Sequence, residues 1–182
     1  MPRLNVCVYC GSSKGDAPDF SEMAESLGRT FAQHDVGLVY GGGGIGLMGI
    51  CARTVMAEGG HVTGIIPDFL QTKEIAYNEV SELLVVGSMH ERKQKMFDRA
   101  DAFLALPGGI GTLEEVIEML TWAQLGRHNR PILFLNLRGF WDPLIGLFDH
   151  MIGQGFVQSS IRAQYAVVDR VEDVLPRIEA AL

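Results

Sequence analysis

Ala102-Phe103-Leu104-Ala105-Leu106-Pro107-Gly108-Gly109-Ile110-Gly111-Thr112-Leu113-Glu114-Glu115 passes from five apolar residues, through a Pro-Gly-Gly turn, into a segment of helical period. An unbroken apolar run of strand length suits a strand buried on both faces, as in a parallel sheet. Pro107 and the glycines end it, and a helix is predicted over Ile110–Leu125. The same strand-to-helix unit recurs outward in both directions. Further strands are predicted at Leu4–Tyr9, Gly37–Tyr40, His61–Ile66, Leu83–Val86 and Ile132–Asn136, with a short seventh at Tyr165–Val168. Helices are predicted at Asp19–His34, Gly46–Glu58, Met89–Ala100, Asp142–Gln154 and Val171–Ala181. This alternation predicts an α/β, Rossmann-like three-layer fold: a mostly parallel central sheet with helices on both faces. At 182 residues and 47% hydrophobic side chains, the chain is expected to close one core, a single nucleotide-handling domain over residues 1–182.

Charge narrows the partners. A net charge of -7 opposes tracking of a nucleic-acid backbone, which needs clustered Lys and Arg. The start, Met1-Pro2-Arg3-Leu4, leads straight into a strand-like segment, and no charged leader or spanning apolar stretch follows. A cytoplasmic protein without a membrane partner is expected. Cys7 and Cys10 spell C-x-x-C, but an odd separation inside a strand sends the two thiols to opposite faces, so buried small hydrophobes are expected there and at Cys51.

The 22 glycines exceed the usual share of about 7%, and they gather at strand ends. Gly11-Ser12-Ser13 follows the first strand, Gly41-Gly42-Gly43-Gly44-Ile45-Gly46 the second and Pro107–Thr112 the fifth. Backbone free of Cβ can approach a ligand closely, and the following helix offers unpaired N–H groups, an environment that suits a phosphate. Tight strand-to-helix turns alone would explain any one of these loops; three converging loops point to a ligand crevice. Gly44-x-Gly46-x-x-Gly49 with Asp68 downstream also fits a dinucleotide fingerprint, which keeps a small NAD(P)-dependent oxidoreductase open.

With a 5′-phosphate held by Gly109–Thr112, Glu115 follows three residues later on the same helix face, about 5 Å away. That is roughly the distance from a nucleotide's phosphate to its anomeric carbon. A carboxylate there could stabilise an oxocarbenium-like cation and deprotonate water, so Glu115 is the candidate acid/base. Glu114 points about 100° away and is explained as an acid favoured near a helix start. Upstream, Met89, Met96, Phe97 and Ala100 form one helical stripe with Lys93 within it and Arg92 on its edge. Cations there call for an anionic partner, either substrate phosphate or Glu115, unless they snorkel to solvent. No G-x-S-x-G elbow and no metal-spaced His/Cys/Asp cluster accompanies them. None of Lys14, Lys73, Lys93 and Lys95 has a pyridoxal context.

Pro107-Gly108-Gly109-x-Gly111-Thr112-x-x-Glu115, preceded by Met89-x-x-Arg92-Lys93-x-x-Met96, resembles the LOG family, the cytokinin riboside 5′-monophosphate phosphoribohydrolases. Cys10-Gly11-Ser12-Ser13, Tyr40-Gly41-Gly42-Gly43, Gly46-Leu47-Met48-Gly49 and Gly139-Phe140-Trp141-Asp142-Pro143-Leu144 extend the resemblance over nearly the whole chain. It implies hydrolysis of the N-glycosidic bond of N6-substituted AMP, or of AMP, with no cofactor and no metal. Arg92 and Glu115 would be the catalytic pair. Substrate contacts would come from Gly11, Ser12, Gly42, Gly43, Glu74, Lys93 and Thr121, and from the run Gly108, Gly109, Ile110, Gly111, Thr112, Leu113 and Glu114. The resemblance implies a homodimer. Molybdenum-cofactor carriers are similar in fold, so a non-catalytic carrier of a phosphorylated pterin is a further alternative.

Overall fold

The computed structural model describes residues 2–182; Met1 lies outside them. Among the described residues, seven strands and six α-helices alternate except at β3–β4: β1 (Leu4–Tyr9), α1 (Pro18–Gln33), β2 (Val36–Tyr40), α2 (Gly46–Ala57), β3 (Val62–Pro67) and β4 (Glu82–Val86) come first. Then follow α3 (Met89–Asp98), β5 (Ala102–Ala105), α4 (Ile110–Gln124), β6 (Ile132–Leu135), α5 (Asp142–Gly153), β7 (Ala166–Val168) and α6 (Val174–Glu179). The sheet order is β4-β3-β2-β1-β5-β6-β7, and every neighbouring pair is parallel. The expected mostly parallel sheet is thus entirely parallel. Side chains alternate along each strand, so both faces carry a core. Val6, Val8 and Tyr40 pack with α1, α2 and α6 on one face. Cys7, Tyr9 and Phe103 pack with α3, α4 and α5 on the other. Cys10 joins the first core, so the two thiols of the C-x-x-C do face opposite ways, and both are free. No described helix is long and apolar enough to cross a membrane.

Sequence-predicted boundaries stand within two residues except at the carboxyl end. There a 3-10 turn at Val171–Asp173 precedes α6, where one helix over Val171–Ala181 was expected. A helix begun at Val171 would place Pro176 at an interior position lacking its N–H; restarting at Val174 leaves Pro176 in the first turn, where no such bond is needed.

Strand order sets the site. Chain direction along the sheet reverses between β1 and β5, and the crevice beyond their carboxyl ends is where ligands of open α/β sheets sit. The two strand ends are stitched there by Leu106 N–H donating to Tyr9 C=O (2.9 Å) and Gly11 N–H donating to Pro107 C=O (3.1 Å). Leu47 N–H, at the start of α2, donates to Gly11 C=O (3.0 Å), which brings the third glycine loop to the same place.

Candidate active site

A cavity of about 290 Å³ opens at this crevice. Its floor is the start of α4, where Gly109 is the N-cap and no side chain caps the helix. The first helical bond of α4 runs from Leu113 N–H to Gly109 C=O (3.0 Å), so the N–H groups of Ile110, Gly111 and Thr112 lie ahead of it. An anion is the natural partner for such an end. Gly108 is held to glycine by crowding: a Cβ there would fall on the Thr112 Oγ1 and 2.9 Å from the Gly11 nitrogen. Thr112 itself is 4% exposed, which keeps its hydroxyl beside the loop.

Arg92 projects from α3 into the opposite wall. Ser88 accepts a hydrogen bond from Glu91 N–H (3.2 Å) and Glu91 reaches back to Gly87 N–H (3.0 Å), an S-x-x-E cap that fixes where α3 begins. Four residues on, the Arg92 guanidinium is docked on two strand-end carbonyls. Its Nε donates to Ile65 C=O (3.2 Å) and its Nη2 to Gly41 C=O (3.0 Å). Gly41 permits this approach, because a Cβ at that position would occupy the place of the Arg92 Nη2. Arg92 is 5% exposed, and the carboxylate nearest it is Glu74, with Oε2 3.7 Å from Nη2. That distance is an ion pair without a hydrogen bond, and Glu74 Oε2 has no hydrogen-bond partner among the described residues.

Glu74 comes from residues 68–81, the connection from β3 to β4. Backbone bonds staple this segment to the second glycine loop: Gly44 N–H to Glu74 C=O (3.0 Å) and to Ile75 C=O (2.8 Å), and Tyr77 N–H to Gly42 C=O (3.0 Å). Ile75 pays in strain, with φ +49° on a β-branched residue.

Glu115 completes the cavity from the second turn of α4. Burial pushes its carboxyl up from about 4.5 to about 7; Arg92 opposes this, Glu114 and Glu74 add to it, and Lys93 offsets it slightly. A carboxyl that titrates near neutrality can both accept and return a proton.

Of the residues singled out from sequence, Ser12, Glu74, Arg92, Gly109, Ile110, Gly111, Thr112, Glu114 and Glu115 come together on this cavity. Gly11 and Gly108 face a smaller one of about 140 Å³, floored by Phe20, Leu47 and Phe140. Gly42 and Gly43 anchor the Glu74 segment instead of lining the wall. Leu113 packs into the core. Thr121 lies about 9 Å beyond Glu115 along the α4 axis, its hydroxyl donating to Ile117 C=O (2.8 Å). Lys93 turns away toward α4, where its ammonium meets Glu114 (2.7 Å) and Glu118 (3.1 Å). Glu114 is therefore in the second turn with a cationic partner, and dipole preference does not explain it. Sequence reasoning missed Met48, Leu70 and Met89, which supply apolar wall, and the carbonyls of Gly41 and Ile65. The glycine run signalled the first carbonyl; nothing local signals the second.

The dinucleotide fingerprint is absorbed structurally. The N–H groups of Gly44, Leu47 and Met48 are spent on protein carbonyls, and the Asp68 carboxylate accepts from Phe69 N–H (2.6 Å). Gly139–Leu144 is likewise a scaffold element: Asn136 joins the Trp141 N–H (2.7 Å) to the Asp142 carboxylate (2.8 Å) and so fixes the start of α5.

Scaffold and site together define a Rossmann-like α/β protein in which a carboxyl raised toward neutrality and a guanidinium share a cavity with an uncapped helix start. Comparison with known proteins places it more closely. A family model described as "possible lysine decarboxylase" matches residues 48–178. The chain is 43% identical over 180 residues to a rice protein named probable cytokinin riboside 5′-monophosphate phosphoribohydrolase LOG4, covering 99% of this chain and 78% of the rice protein. The Arabidopsis thaliana cytokinin riboside 5′-monophosphate phosphoribohydrolase LOG1 is 41% identical over 181 residues, 96% of this chain and 85% of that protein. The chain belongs to the LOG family. Among solved structures, the molybdenum cofactor binding protein of Rippkaea orientalis superposes with a TM-score of 0.71 at 21% identity, covering 99% of this chain and 98% of that one. The Moco carrier protein of Chlamydomonas reinhardtii gives 0.68 at 20%, covering 98% and 99%. These two likenesses are of fold.

Proposed function

We propose that this protein hydrolyses the N-glycosidic bond of a nucleoside 5′-monophosphate, N6-substituted AMP or AMP itself, releasing the free base and ribose 5-phosphate. The observation that carries the reading is the unbonded start of α4 with Glu115 one turn on, its carboxyl near 7, in a cavity that also holds Arg92. The names of the relatives point to the same chemistry.

The 5′-phosphate rests on the N–H groups of Ile110, Gly111 and Thr112 and on the Thr112 hydroxyl. This anchors the sugar with its anomeric carbon beside Glu115. As the bond to the base breaks, positive charge develops on the ribose and the Glu115 carboxylate stabilises it. The same carboxylate takes a proton from the attacking water, whose oxygen bonds to the anomeric carbon. It then gives that proton to the departing base, so Glu115 ends as it began. Arg92, held rigidly by Gly41 and Ile65, keeps Glu115 from rising further and offers its remaining N–H groups to ligand oxygens. Met48, Leu70 and Met89 form apolar wall suited to a base.

We also propose that the protein acts in the cytoplasm, and as a homodimer; the second reading is supported by the apolar residues exposed on and beside α4 and α5: Ile110, Leu125, Leu147 and Phe156. Incubation with AMP and with isopentenyladenosine 5′-monophosphate, followed by separation of products, tests the activity. Failure to release base and ribose 5-phosphate from any of a panel of nucleotides would overturn it.

A further inference from the structure

Lys93 has no place in the mechanism above, yet it is one of the most enclosed cations in the protein, with 13% of its side chain exposed. Its ammonium lies between Glu114 Oε1 (2.7 Å) and Glu118 Oε1 (3.1 Å), two carboxylates one turn apart on α4. Each end of this clamp is adjacent in sequence to a residue of the site: Lys93 to Arg92 on α3, Glu114 to Glu115 on α4. We propose that Lys93 is a positioning residue: by bridging α3 to α4 it sets the spacing of Arg92 and Glu115 and screens Glu115 from the charge of Glu114.

The groups that face Glu115 fix what its removal does. Arg92 and Lys93 from α3 favour the carboxylate, and Glu114 and Glu74 oppose it. Tyr9 and Cys7 rise from the sheet face beneath α4 and Cys10 lies just past the end of β1, all three protonated because burial holds them well above their ordinary values. The sheet therefore contributes no fixed charge, and the balance at Glu115 is struck between one docked arginine, one clamped lysine and two acids. Without Lys93, Glu114 becomes an uncompensated neighbour and Glu118 adds to it. The inference rests on the proposed glycosidase reading for its kinetic consequence, and on geometry alone for its electrostatic one.

The test uses the full chain with 13C-labelled glutamate. The Glu115 carboxyl resonance is identified by its loss in E115Q, and its titration midpoint is followed by NMR without substrate. In K93M the midpoint should rise above the wild-type value by about a few tenths of a pH unit. In K93R it should stay near the wild-type value. E114Q should lower the midpoint little in the wild-type background and much more in K93M; equal shifts in the two backgrounds would overturn the screening role. With nucleotide, K93M should lose roughly 10- to 100-fold in kcat with KM nearly unchanged, the signature of a displaced catalytic group. A rise in KM with kcat and midpoint unchanged would make Lys93 a substrate contact and refute the proposal. If K93M does not fold, K93Q is read by the same criteria. If the wild type releases no base from any nucleotide, the glycosidase reading falls, and the midpoints still decide whether Lys93 screens Glu115.

Discussion

Replacing Glu115 with glutamine should make the protein inactive and, above neutral pH, more stable. In the unfolded chain this carboxyl ionises near 4.5, whereas in the cavity it does so near 7 because burial outweighs the pull of Arg92. Between those values the folded protein keeps a proton that the unfolded chain has already released. Stability therefore falls as pH rises from about 4.5 to 7, and the loss is complete above 7. Moving a carboxyl across that interval corresponds to about 3 kcal/mol, and the open side of the cavity lowers the expected figure to roughly 1 to 3 kcal/mol. Glutamine fills the same space and does not ionise. E115Q should thus match the wild type at pH 4.5 and exceed it at pH 8, by about 3 to 10 °C in melting temperature for a chain of this length. Urea denaturation at the two pH values, with calorimetry alongside, measures the difference. Activity supplies the second half: no turnover at any pH, with nucleotide binding retained, while the wild-type kcat/KM climbs through pH 7 as the carboxylate forms. An equal stability change at pH 4.5 and pH 8 would refute the assignment of a raised Glu115, and an unchanged kcat in E115Q would refute its role.

Other substitutions probe the rest of the cavity. Arg92→Ala leaves the carbonyls of Gly41 and Ile65 without their donor and Glu74 without its cation, so it should cost about 2 to 4 kcal/mol in stability and impair both binding and rate; retention of wild-type KM would argue against a substrate-facing guanidinium. Gly41→Ala places a methyl group where the Arg92 Nη2 lies and should lower kcat/KM by at least about tenfold, while Gly153→Ala, in ordinary helical backbone at the end of α5 with open space around it, leaves activity intact; steady-state kinetics on both variants separate a local clash from a general effect. Thr112→Val removes one hydroxyl from the phosphate loop and should weaken binding of ribose 5-phosphate by about 1 to 2 kcal/mol in a calorimetric titration, with no change in affinity for free adenine. The unphosphorylated nucleoside should be a far poorer substrate than its 5′-monophosphate, by about a hundredfold or more in kcat/KM, because the α4 start then has no anion to hold.

How far the amino-acid order reaches can be seen at α3 and α4. Their existence, start and apolar faces follow from local rules, since Ser88-x-x-Glu91 caps one and Gly109 precedes the other, and a helical wheel puts Arg92 and Lys93 beside a Met-Phe stripe. The spacing of three residues from Thr112 to Glu115 likewise needs only helix geometry. These are short-range facts, and the alternation of strand and helix that predicts a layered α/β fold is the sum of them. Periodicity says nothing of what a side chain meets across space. The wheel puts Lys93 within the stripe and Arg92 on its edge, yet it is Arg92 that is docked on the carbonyls of Gly41 and Ile65, 51 and 27 residues away, and Lys93 that reaches Glu114 and Glu118. Gly44-x-Gly46-x-x-Gly49 matches a dinucleotide loop as a string, but packing against Gly11 and Glu74 uses up its donors. Thr121 is less than two turns along the helix from Glu115, yet its hydroxyl is spent on Ile117 C=O.

Local order along the chain sets the parts: buried parallel strands, the Pro107–Glu115 turn into a helix, and a carboxylate one turn beyond a phosphate-sized gap. Tertiary structure alone decided the order β4-β3-β2-β1-β5-β6-β7, which sets the chain reversal between β1 and β5 and draws three loops and the Glu74 segment to one point. The physical reason is that strand pairing and the desolvation that raises Glu115 depend on neighbours brought together by crossovers. Those neighbours are remote in the chain, so no local pattern carries them.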